Sequence, residues 1–405
     1  MQPLTVSRHP VSVGMQECLV LCLLVFLLFG PLSLLLLALL RLLGLRIKHV
    51  HHFVPLQGLH RFGELHRHAD AQQRAEEHHG HMSDCVHATP KELHFFIIVH
   101  QSEMGFTSFC KPATHIDNMA PPTLLRLVPA HDEAVGDLLT QRAFPTGALS
   151  DLNPFLFLNH HGPQTYPPGN AGLPFGPHPH KGFETLTFIE EGPLAHRDST
   201  GGSHISGPGA VQWMTAGSGI VHAEVSPPEF MRDGGPTHLL QLWMNLPAAL
   251  KGVSPSYQSL EPENLERIHG AGWSWEIISG QATIEGDTAQ GPASSVTGLF
   301  TSRLKLEAGA SFSCDIPKGR TLLLYAVTGT VHLGDAALKP FMTPVFDRNG
   351  GALSLKAETK ATLLLCHGTP IDEPVVSYGP FVMNTEEEIR TAFAQYRRGE
   401  FGHVD

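Results

Sequence analysis

From Leu124 onward the chain alternates short apolar runs with Gly, Pro and Asp punctuation. LLRLV, FLFLN, ETLTFIEEG, AVQWMTAG and HLLQLWMNL come first, and SWEIISG, SRLKLEAG, SFSCDI, TLLLYAVTG, TVHLGD and ATLLLCHG follow. Runs of this length, bounded by turn residues, predict strands and therefore an all-β fold. Helical periodicity is scarce. A turn or two is expected across 262–269, and TEEEIRTAFAQYR at Thr385–Arg397 carries a helical apolar period behind a Thr-x-x-Glu capping box, which predicts one closing helix.

Sliding the chain by 137 residues lays Glu184–Gly192 (ETLTFIEEG) over Thr321–Gly329 (TLLLYAVTG), each a strand ending in a Gly turn. Two tandem β-barrels of similar build, 119–252 and 253–405, fit the available length at a common domain size. The copies are unequal. The first holds His178-Pro179-His180 where the second has Asp315-Ile316-Pro317, so only the first can carry a histidine site there.

Residues 1–118 read differently. Cys18–Leu40 is 23 residues without a charge, which as a helix rises roughly 35 Å, enough to cross a bilayer. Arg41, Arg46 and Lys48 follow it and place that side in the cytoplasm by the positive-inside bias. Residues 49–118 scatter histidines without strand or helix periodicity, and no fold is expected of them. A membrane anchor is one reading of 1–118, and a chain whose translation starts at Met119 is the other.

Composition sharpens the division. The net charge is −11, and residues 1–118 balance nine acidic against nine basic residues, so the whole excess lies in 119–405. Direct contact with nucleic acid is excluded on that count, because phosphate binding needs a basic face. With 42% hydrophobic and 16% charged residues the chain has material for a sizeable core. After Met119 the only cysteines are Cys314 and Cys366, as in a reduced cytoplasmic protein; the alternative location is a membrane anchor with the barrels in the cytoplasm.

The candidate chemistry sits in the first barrel. His178 and His180 are two apart, and 42 residues after His180 come His222 and Glu224, again two apart. Side chains at i and i+2 of a strand share a face. Two such pairs on neighbouring strands aim four N/O donors into one space, and three imidazoles with one carboxylate suit Fe, Mn, Ni, Cu or Zn better than Ca or Mg. Trp213, Met214 and Phe183 are candidates for lining that space, although strand alternation accounts equally well for them as core. Cys366-His367-Gly368 has no partner histidine nearby and reads as structural.

Gly172-x5-His178-x-His180-x3-Glu184-x7-Gly192 is similar to the first cupin motif, and Pro208-Gly209 through Ala216-Gly217 to His222 is similar to the second. HPHKGFET at His178–Thr185, QWMTAGSGIVHAE at Gln212–Glu224, LQLWMNLP at Leu240–Pro247 and GPFVMNT at Gly379–Thr385 resemble the signature segments of the pirin family over about residues 124–405. The resemblance implies two tandem cupin barrels with a short C-terminal helix and one Fe(II) in the N-terminal barrel, held by His178, His180, His222 and Glu224. Ordinary cupins take their carboxylate ligand from the position of Glu184. In pirins the glutamate of HAE serves instead, so Glu184 is expected in a supporting role. Residues 1–118 depart from the family pattern.

Pirins are associated with quercetin 2,3-dioxygenase activity, in which a flavonol and O2 meet at the metal and Glu224 serves as ligand and as base for the 3-hydroxyl proton. The competing reading is a non-enzymatic, iron-dependent, redox-sensitive co-regulator bound to a transcription factor or a metabolic enzyme. An acidic chain needs a protein partner for that role.

Overall fold

A computed structural model describes residues 121–404. The expected membrane run at 18–40 and the rest of 1–118 lie outside the described residues, among which no helix is long and apolar enough to cross a membrane.

The first half runs β1 (Leu124–Pro129), β2 (His131–Asp132), β3 (Thr140–Phe144), β4 (Phe155–Tyr166), β5 (Phe175–His180), β6 (Phe183–Glu191), β7 (Leu194–Asp198), β8 (Ser203–Ser206), β9 (Val211–Thr215) and β10 (Ile220–Val225). Helix α1 (Pro228–Asp233), β11 (Gly235–Asn245) and β12 (Ser256–Leu260) complete it. In the second half come β13 (Glu266–Gly270), β14 (Trp273–Ser279), β15 (Gln281–Ile284), β16 (Asp287–Gln290), β17 (Phe300–Leu306), β18 (Ser311–Ile316) and β19 (Thr321–Thr328). Then follow β20 (Val331–Leu333), β21 (Ala336–Leu338), β22 (Met342–Phe346), β23 (Gly351–Ala357), β24 (Ala361–Gly368), β25 (Val376–Tyr378), β26 (Phe381–Met383) and α2 (Glu386–Arg397).

Every apolar run read as a strand is one. The 262–269 segment corrects the expected turn or two: a single 3-10 turn, Pro262–Asn264, gives way to strand β13. Helix α1 is short and begins with Pro228 in its first turn, a start signal that lacked the length for an apolar period. Helix α2 stands where the capping box put it, with Thr385 accepting from the Glu388 amide and Glu388 returning the bond.

Each half pairs two antiparallel sheets. The first has a four-stranded sheet, β5-β10-β7-β8, and a seven-stranded one, β12-β9-β6-β11-β4-β3-β2; the second has β13-β14-β17-β24-β19 and β18-β23-β20-β21. In β23 burial alternates, with Leu353, Leu355 and Ala357 inside and Ala352, Ser354 and Lys356 exposed, because one face meets water. Strand β6 is buried from Phe183 to Ile189, because its sheet is covered on both faces. Leu186 and Phe188, with Leu240 and Leu242 of β11, join Leu323, Tyr325 and Leu364 of the second half in one apolar cluster. Thr185, Thr187 and Gln241 alternate with them and so turn toward the four-stranded sheet. A separate cluster containing Trp275, Phe312, Leu324 and Leu363 fills the second half.

The repeat survives in three dimensions. Gly192 after β6 and Gly329 after β19 both have positive φ, and a Cβ on either would fall 2.3 or 2.1 Å from a carbonyl oxygen, of Pro236 or Lys360. Only glycine makes that turn against a neighbouring strand. The halves also exchange their ends. Strand β1 pairs with β22 of the second half, and the segment after β24 returns to the first.

Candidate metal centre

Strands β5 and β10 run antiparallel with His222 directly opposite His178 and Ile220 opposite His180. The two histidine segments, 42 residues apart in sequence, thereby become neighbours. The ligand nitrogens of His178, His180 and His222 all lie within 4.8 Å of one another, making this group able to hold a metal ion. Ring centroids are 4.4 Å apart for His178 and His222 and 4.9 Å for His180 and His222.

The hydrogen bonds leave the right nitrogens free. Nδ1 of His178 donates to the Gly176 carbonyl at 2.7 Å, and Nδ1 of His180 donates to the Pro380 carbonyl at 3.3 Å. A neutral imidazole that donates from Nδ1 presents a lone pair at Nε2. Nε2 of His180 and both ring nitrogens of His222 are buried without a partner among the described residues. Orphaned buried nitrogens are rare and call for an explanation, and a metal ion among three converging imidazoles supplies one. Burial pushes His180 down to about 3, with the neighbouring His178 adding to it. His222 lies well below its ordinary value for the same reason, followed by His180, His178 and His196. Neutral imidazoles are the form that binds metal, so His180 and His222 are suited to hold an ion with His178.

Glu224 continues the His222 face of β10, and along β7 these two residues lie opposite His196 and Asp198. Its Oε1 accepts from the Thr187 hydroxyl at 3.0 Å and its Oε2 from the Gln241 amide at 2.7 Å. The carboxylate thus bridges the two sheets of the first half, beside the three-histidine group rather than within it. Glu184 is elsewhere. Strand alternation puts it on the face of β6 opposite Phe183, Thr185 and Thr187, where Oε1 accepts from Trp213 Nε1 at 3.0 Å and Thr215 Oγ1 at 2.7 Å. Burial without a cation pushes its carboxyl up. Trp213 is core, whereas the ring of Phe183 lies 5.1 Å from that of His180 and 4.4 Å from that of Trp243.

Sequence reasoning passed over four participants. Trp243 Nε1 donates to Gln241 Oε1 at 3.0 Å, so an indole orients the amide that holds Glu224. His196 donates to Asp198 Oδ2 at 2.8 Å, and its ring stacks 3.8 Å from Tyr257 and lies 5.4 Å from His222. The His196-x-Asp198 spacing is the same i, i+2 pattern that marked the other pairs and was a usable signal; Gln241 and Trp243 stood inside the LQLWMNLP segment, which marked the resemblance but gave neither residue a chemical role. In the second half His367 stacks on Phe300 at 4.6 Å.

A pair of antiparallel sheets built twice in one chain, with three imidazoles converging from adjacent strands in the first copy only among the described residues, defines a bicupin. The pirin model matches residues 137–244 and the model of the pirin C-terminal cupin domain residues 301–402. This chain belongs to the pirin family. Human pirin is 37% identical over 292 residues, covering 69% of this chain and 93% of its own. A pirin-like protein of Solanum lycopersicum is 34% identical, covering 70% and 94%. Among solved structures, a quercetin 2,3-dioxygenase from Acinetobacter baumannii matches with TM-score 0.65 and 34% identity, covering 71% of this chain and all of its own.

Proposed function

We propose that this chain is an iron-binding dioxygenase that cleaves flavonols of the quercetin type, with His178, His180 and His222 as ligands of Fe(II) and Glu224, which stands beside them on the His222 face of β10, as the fourth ligand once the ion is bound. Mn, Ni, Cu and Zn are the other ions such a donor set accepts. The observation that carries the reading is the convergence of three imidazoles, two of which, His180 and His222, have buried ring nitrogens without a partner among the described residues. The name of the Acinetobacter baumannii relative supports the substrate class.

Bound Fe(II) supplies a Lewis acid for the flavonol 3-oxygen and a redox centre for dioxygen. The residues do the rest. Glu224, held by two neutral donors, keeps a lone pair for the 3-hydroxyl proton. Thr187 and Gln241 fix the direction in which it is offered. The tilted rings of Phe183 and Trp243 beside His180 give an aromatic substrate an apolar wall. Both oxygen atoms of O2 enter the ring-opened depside, and one ring carbon leaves as carbon monoxide. On this reading the two cupins work in the cytoplasm, which the pair of free cysteines Cys314 and Cys366 supports whether or not residues 18–40 anchor them, and the acidic excess charge argues against direct contact with nucleic acid.

Oxygen consumption with a panel of flavonols, compared between iron-loaded and chelated protein, tests this. Uptake with at least one flavonol that stops on chelation is expected. Protein carrying one iron per chain that consumes no oxygen with any flavonol overturns the enzymatic reading.

A further inference from the structure

After β24 the chain leaves the second half and lays residues 376–402 along the outer side of β5 and β10. Lys181 bridges to Phe381 in parallel, and the Val382 amide donates to the Lys181 carbonyl at 3.0 Å. Phe381, Met383, Ile389 and Phe401 pack with Val221 in a cluster of their own. At the far end the Ser199 hydroxyl donates to the Phe401 carbonyl at 2.6 Å and accepts from the Val221 amide at 3.1 Å. This strap contributes the Pro380 carbonyl, which holds Nδ1 of His180.

One buried cation pins the strap in place. Lys251 Nζ donates to the Gly182 carbonyl at 2.7 Å, to Asn245 Oδ1 at 2.7 Å and to the Val382 carbonyl at 3.1 Å. These acceptors come from the loop after His180, the end of β11 and the strap itself. All three are uncharged, so the bonds position segments and neutralise nothing. Gly182 completes the fit: a Cβ there would fall 2.0 Å from the Val382 carbonyl oxygen.

We propose that the strap of residues 376–402 is a positioning element of the metal centre, so that its docking and metal binding at His180 are coupled. A docked Pro380 carbonyl selects the His180 tautomer with Nε2 free and fixes the plane of the ring. An undocked strap removes the acceptor and releases both. Groups that orient a ligand histidine in this way are worth roughly 10–100-fold in metal affinity. Coupling is reciprocal, so metal binding holds the strap down by the same factor. The inference rests on the metal reading of the three histidines and adds that the last segment of the chain reports whether the metal is bound.

Ni(II), which imidazole donors accept, is the probe. Its affinity is measured by chelator competition in the full chain, in Lys251→Met and in Phe401→Ala, which loosen the strap at opposite ends. Each substitution is expected to weaken Ni(II) binding about tenfold or more. In the unsubstituted chain, Ni(II) is expected to slow hydrogen exchange of the 381–383 amides by a like factor while leaving β23 unchanged. Unaltered Ni(II) affinity in both variants, with the strap amides shown to exchange faster, overturns the coupling and leaves the metal site standing. If neither variant folds, strap exchange in the unsubstituted chain decides, and no slowing on Ni(II) binding overturns it. A full chain that binds no Ni(II) overturns the metal reading itself.

Discussion

Two glutamates of the first half show how far one residue of strand register reaches. Glu224 faces Thr187 and Gln241 between the sheets, whereas Glu184 faces Trp213 and Thr215 on the side turned away from the histidines. Glu224→Gln is therefore expected to lower a flavonol-dependent oxygen uptake about 100-fold or more, while Glu184→Gln, which keeps an acceptor for both donors, leaves metal content unchanged and stability within about 1 kcal/mol. Metal analysis and oxygen uptake on the two variants check this, and loss of metal from Glu184→Gln alone would reverse the assignment. Buried histidines away from the site set the acid limit. Burial, then the neighbouring His238 and His161, lowers His160 to about 3, and burial, then Arg142, lowers His161 to about 4. Both stay neutral in the fold, while the unfolded chain takes up their protons below about 6.5. Their contribution is thus complete above pH 6.5 and is lost as pH falls toward 4, at about 1.4 kcal/mol per pH unit for each. Urea midpoints between pH 7 and 4.5 measure the slope, and His160→Gln is expected to remove roughly one proton from it.

At the scale of elements, pairing and capping do separate work. Antiparallel β5 and β10 turn two His-x-donor segments into one cluster, and alternation in β6 and β11 gives each strand a polar face toward Glu224 and an apolar face toward the second half. Helix α2 holds only Ile389 and Ala392 buried, so its start depends on the capping box. Thr385→Ala is expected to cost about 1 kcal/mol, read as a lower denaturant midpoint with far-UV circular dichroism nearly unchanged. A wild-type midpoint would assign α2 entirely to its packing against Phe381.

For the whole molecule the junction of the two halves is decisive. Arg303 is fully buried on β17; it donates to Glu276 Oε2 at 2.6 Å within the second half, and to Glu190 Oε1 at 2.8 Å and the Gly209 carbonyl at 2.6 Å in the first. His160 reaches across as well, with Nδ1 3.1 Å from the Tyr325 hydroxyl, while its Nε2 lies 2.6 Å from Nε2 of His238 within the first half. Removing one partner of a buried ion pair strands the others, so Arg303→Ala is expected to cost about 3–5 kcal/mol. Because a single apolar cluster spans both halves, the loss is expected as a shift of one cooperative transition. Denaturant unfolding followed by Trp fluorescence and circular dichroism checks both points, and two separated transitions would show halves that fold independently.

Sequence alone carried the short apolar runs, their Gly and Pro punctuation, the Thr385 capping box and the paired donors at His178, His180, His222 and Glu224, since these are local patterns readable from spacing and from which side chains share a face. It also carried the inequality of the two copies, visible as Asp315-Ile316-Pro317 in place of His-Pro-His. Tertiary structure alone decided that His178 stands opposite His222, that Glu184 looks away from both, and that Gln241, Trp243 and Lys251 serve the site. It also decided that β1 and the C-terminal strap each cross to the other half. Such facts depend on which strand pairs with which and on which sheet face is covered. Those choices are made by long-range burial and leave no periodicity in the chain.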